Sequence, residues 1–140
     1  MSSMKEIKNA LKENLLAYFP LKEFIRSNIF DGLREGIIDF PCIVVEPLVK
    51  DEGDDTYAHQ RISAKFGIMG FIKTMNKDSQ LDDIFDFENM VLTALGQDRR
   101  LGEKAEFVKV IQTSYDSELW PIRNFSIQIE IEFRQNSVIR

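Results

Sequence analysis

A single cysteine, Cys42, and a single histidine, His59, stand in a chain of 140 residues. One cysteine excludes an intrachain disulfide and fits a reducing, intracellular compartment best. The longest apolar run is only a few residues, which argues against a membrane-spanning helix. No glycine-rich phosphate loop, Cys-x-x-Cys pair or serine elbow occurs. Positive charge is also short: 18 basic against 23 acidic residues leave a net charge of −5. That speaks against non-specific nucleic-acid binding, which needs a basic surface. The opening Met1-Ser2-Ser3-Met4-Lys5-Glu6 leads into an amphipathic pattern carrying Glu6 and Glu13, unlike a signal peptide.

What is present is ordinary globular composition, 44% hydrophobic and 29% charged. The length suits one domain, residues 1–140, that buries about two-thirds of its unfolded surface. Met4, Ile7, Leu11 and Leu15 recur at helical spacing, with Leu16 and Phe19 widening the stripe. Ser3 and Glu6 have the form of a capping box, and Pro20 is expected to end this helix. Phe24, Ile25, Ile29, Phe30 and Leu33 form a weaker pattern, a short helix or an irregular linker broken by Gly32 and Gly36.

Phe40-Pro41-Cys42-Ile43-Val44-Val45-Glu46 reads as a strand bracketed by Pro41 and Pro47, with an edge or bulge nearby. Residues 50–56, polar and acidic, read as a loop. Residues 57–73 read as a long strand in which Gly67 and Gly70 invite a bulge. The clearest helix begins at a Ser79–Asp82 capping pair and runs through Leu81, Ile84, Phe85, Val91, Leu92 and Leu95. Gly96 is placed to end it in a left-handed conformation. A strand at about residues 106–115 follows, then a turn, then the strongest signal in the chain. There Phe125, Ile127, Ile129, Ile131 and Phe133 alternate with Ser126, Gln128, Glu130, Glu132 and Arg134. The expected fold is α+β: a two-layer sandwich, an antiparallel four-stranded sheet with two main helices on one face, in α-β-β-α-β-β order.

Candidate chemistry is sparse. His59 with Asp51, Glu52, Asp54 and Asp55 could form a hard-metal site, but the spacing matches no EF-hand loop and a solvated hairpin explains it. Cys42 alternates with Val44 on a strand, as a buried thiol does, whereas a nucleophile would need a base such as histidine held against it. Glu6-Ile7-Lys8 has the Glu-x-Lys spacing of metal-dependent nucleases but falls on a helix before every strand. Arg99, Arg100, Lys104 and Lys109 could touch phosphates, yet read more simply as solvated surface. Trp120, in the last turn, either anchors an interface or folds back over the sheet end. The 51–55 run and the Glu130–Glu132 face are further interface candidates. No catalytic residue, metal or cofactor is expected, and a binding or structural part fits better than an enzyme.

The layout resembles a known family. The resemblance is carried by a leading helix, the strand Phe40-Pro41-Cys42-Ile43-Val44-Val45-Glu46-Pro47, a charged loop and a long strand. Next come a helix ending Ala94-Leu95-Gly96-Gln97-Asp98-Arg99-Arg100-Leu101-Gly102 and a final hairpin of alternating isoleucines. It is similar to the tail terminator and tail-completion (neck) proteins of tailed bacteriophages and prophages. That resemblance implies a virion-associated protein, made in the bacterial cytoplasm, that docks on the tail tube as a ring of itself, commonly a hexamer. It would stop tube growth and join the head-completion proteins without catalysis. DNA would pass the lumen unbound, eased by an acidic loop at Asp51, Glu52, Asp54 and Asp55. The alternatives are a small dimeric binding or regulatory domain working through its last strand, and a metal-dependent hydrolase using His59.

Overall fold

The computed structural model describes residues 2–32, 39–54, 59–74, 76–116 and 121–136. Helix α1 (Met4–Ala17) begins where the capping box places it: the Ser3 hydroxyl accepts the Glu6 N–H at 3.2 Å. Replacing Ser3 with alanine leaves that N–H without its acceptor and is expected to cost about 1 kcal/mol, read as a lower thermal midpoint. Pro20 does more than stop α1. It occupies the first turn of a second helix, α2 (Phe19–Ile25), where a missing N–H is harmless. Arg26, in the left-handed region, closes α2.

The expected antiparallel four-stranded sheet with two main helices does not form. The described residues build a five-stranded mixed sheet with three helices, in the strand order β1-β2-β3-β5-β4. The missing strand is β1 (Ile29–Asp31), which pairs in parallel with residues 43–45 of β2 (Cys42–Asp54). Three residues carry no periodicity, and a parallel partner lies across a connection rather than across a tight turn. Asp31 also receives Lys8 and Lys12 from α1, each at 2.9 Å. These ammonium groups hold its carboxyl below the ordinary aspartate value of 3.8. The contribution is therefore present above that value and lost as pH falls through the lowered one. Because the site is exposed, Asp31→Asn is expected to cost under about 1 kcal/mol, in a salt-dependent way, and to flatten acid denaturation of the chain.

β2 is longer than its sequence signal. It runs through Pro47, and residues 51–54, expected as a loop, ladder with residues 60–63 of β3 (His59–Lys73). Two facts allow this. Pro47 lies beyond the reach of β1, so no described strand on that side needs the N–H that proline lacks. A register shift between Pro47 and Val49 also absorbs Leu48 as an extra residue. The bulge thus sits on β2, between the pairs Pro47–Phe66 and Val49–Lys65, and the Leu48 side chain lies over Gly67.

A short 3₁₀ turn (Lys77–Ser79), capped by Asn76, leads into α3 (Gln80–Gln97). The Ser79–Asp82 capping pair is not made. The Ser79 hydroxyl instead lies 3.2 Å from the Asp83 carboxylate. Nor does Gly96 terminate α3, which continues to Gln97. The left-handed residues come later, at Leu101, Gly102 and Glu103. There the Asp98 carboxylate accepts the N–H groups of Arg100 and Gly102 at 3.2 and 2.7 Å. β4 (Phe107–Asp116) and β5 (Ile122–Asn136) finish the sheet. Phe125, Ile127, Ile129, Ile131 and Phe133 are all fully buried, as their alternation required. They face Ile7, Leu11, Ile84, Phe87 and Val91 of the helical layer in one core. No helix among the described residues is long and apolar enough to cross a membrane.

Candidate assembly surface

The helices cover one face of the sheet, so function must be sought on the other face and along the two edges. Strand register decides which side chains meet on the uncovered face. One row reads Val49, Lys65, Glu130, Lys109 from β2 across to β4. The next reads Asp51, Ser63, Glu132, Phe107, and beyond it Gly53, Arg61 and Arg134 stand in line. Glu130 thus has a lysine on each flanking strand and accepts the Ser63 hydroxyl at 2.9 Å. Cross-strand pairs of opposite charge stabilise such a face modestly.

Asp51, Glu130 and Glu132, three of the residues singled out in sequence, are therefore brought together on one surface. Glu52 alternates away from Asp51, and its carboxylate pairs with Lys50 at 3.2 Å. Asp54 is a strand residue opposite Gln60. Asp55 and Trp120 lie outside the described residues. His59 opposes Asn136 in the β3–β5 ladder, and Cys42 is fully buried. Among the described residues, no three His, Cys, Asp or Glu side chains gather as a metal site. Lys8 of the Glu6-Ile7-Lys8 triplet is held by Asp31. The basic residues are divided, with Arg99, Arg100 and Lys104 in the α3–β4 connection and Lys109 on β4.

The feature missed in sequence is apolar and lies along β4, the outermost strand, which ladders only with β5 among the described strands. Phe107, Val110, Ile111 and Tyr115 are all exposed there, as are Leu81 and Phe85 on α3. A register shift between Val110 and Gln112 makes Ile111 an extra residue and turns it outward. The signal was available: two adjacent apolar residues interrupt the alternation at positions 110 and 111. Between α3 and this edge runs a groove of about 360 Å³. Its lining includes Leu92, Leu95, Arg99 and Val108.

Tyr115 closes the far end of the edge. Its ring meets Phe85 edge-on at 5.6 Å, and its hydroxyl donates to the Glu88 carboxylate. That carboxylate and partial burial push the phenol up to about 12. A raised value in the folded chain means the contribution is intact below the ordinary value of 10.0 and is lost as pH rises through about 12. Tyr115→Phe is expected to abolish this alkaline loss. The check is tyrosinate absorbance, with the variant's titration subtracted because the chain has three tyrosines.

Such a surface can bind, through strand edges, apolar side chains and mixed charge. In fold, the chain is similar to one in the solved structure of the virion of a native gene transfer agent (GTA) particle. The TM-score is 0.56, with 91% of this chain and 97% of that chain covered at 8% sequence identity. No protein-family profile and no curated protein matches the chain.

Proposed function

We propose that this protein is a non-enzymatic structural component of a phage-like particle. In this reading it assembles as a ring of identical copies, most simply a hexamer, at the end of a tail tube. There it halts polymerisation and meets the head-completion proteins. The observation that carries the reading is the fold correspondence along nearly the whole of both chains with a protein that resides in a virion. Physical support comes from the sheet. Its two ends are different surfaces, and a ring closes through a heterologous contact between unlike patches. Asp51 and Glu52 are strand residues here, so their charge serves the sheet's surface rather than a loop projecting into a lumen.

Native mass spectrometry and light scattering of the full chain test the reading, and a ring-sized multimer is the expected result. A stable dimer would favour the small dimeric binding domain instead. In purified particles the protein is expected at a few copies per particle, associated with the tail end of the virion.

A further inference from the structure

The two outer edges of the sheet are complementary to each other, and we infer that residues 48–51 of β2 in one copy lie beside residues 107–111 of β4 in the next. This inference rests on the self-assembly reading above and names the surfaces that would carry it. Topology comes first. β2, β3, β5 and β4 are successively antiparallel. β4 therefore runs opposite to β2, and a neighbour placed beside β4 in the same orientation presents its β2 antiparallel, with its helices on the same side. β1 covers only residues 43–45 of β2, so among the described strands residues 48–51 have β3 on one side and none on the other.

The levels also agree. Val49 and Lys109 lie in one row of the sheet, and Asp51 and Phe107 lie in the next. The two bulges flank the single row that contains Phe66 and Ile129. They leave Leu48 (50% exposed) and Ile111 (41% exposed) as extra residues on opposite edges, with Leu48 lying over Gly67 on the face away from the helices. Chemistry matches as well. Leu48 and Val49 of one edge are exposed and apolar, as are Phe107 and Ile111 of the other, and Asp51 stands one row from the level of Lys109 on the face away from the helices. Bulges interrupt backbone pairing, so side chains along the two edges, rather than a continuous ladder, carry this contact.

The test uses Leu48→Asp and Ile111→Asp in the full chain, with circular dichroism confirming the fold of each. Each variant spoils one edge and keeps the other. Alone, each is expected to lose the multimer; mixed, they are expected to form a one-to-one heterodimer that grows no further. Should either variant misfold, Asp51→Lys and Lys109→Glu repeat the test at solvated positions: each weakens the multimer, and the double variant restores it. Multimers that persist in both single variants overturn this interface and leave self-assembly standing. Loss in only one variant, or a mixture without heterodimer, overturns the head-to-tail arrangement. A wild-type chain that stays monomeric at the highest attainable concentration overturns both readings.

Discussion

Phe125→Ala is expected to lower the stability of the chain by about 3–5 kcal/mol, read as a lower denaturant midpoint at unchanged slope. Phe125 is fully buried on β5 and meets Phe87 of α3 edge-on, with ring centroids 5.0 Å apart. Phe87 in turn stands 5.0 Å from Phe24 of α2. One file of rings therefore joins the sheet to two helices. Removing its base opens a cavity that the rigid strands β3 and β4 on either side of β5 cannot close. Phe125→Leu, which keeps most of the volume, is expected to cost under about 2 kcal/mol. If Phe125→Ala shifts the midpoint no more than a surface substitution does, this file of rings is not what holds the layers together.

Gly70→Val is the second large effect. Gly70 pairs with Phe125 across β3 and β5, and the Phe125 ring lies over it. A Cβ at this position would collide with that ring and come within 3.0 Å of Phe87. The neighbours are rings wedged between strands and helices, so they have nowhere to move. The expected cost is about 3 kcal/mol or more, at the upper end of overpacking losses. Conformational freedom is not the reason for this glycine, because its backbone is that of an ordinary strand. A double-variant cycle separates the causes: Gly70→Ala is expected to be partly rescued by Phe125→Leu, which withdraws the ring edge. No rescue would mean that the penalty arises in the backbone rather than in the collision.

These two positions show how far local pattern reaches. Phe125 was readable as core from the alternation of its strand, since one face of a half-buried strand must be apolar. Gly70 in sequence suggested only a bend. That it clears space for a ring fifty-five positions away is a fact of pairing, which no local window contains. The same division holds for the assembly surface. Asp51, Glu130 and Glu132 could each be picked out singly, and the register of β2, β3 and β5 is what sets them in adjacent rows. The apolar edge of β4 escaped notice because an exposed apolar residue reads, in one dimension, as a buried one.

Taken alone, the amino-acid order determined the α1 cap, the core faces of α1, α3 and β5, and the poverty of reactive groups. Each of these follows from side-chain spacing within a few residues or from composition. Tertiary structure decided the rest: the parallel strand β1, the extension of β2 through Pro47 into an acidic stretch, the continuation of α3 past Gly96, and which strands stand at the edges. Those outcomes turn on which backbone groups find partners across the sheet, and such partners are distant in sequence.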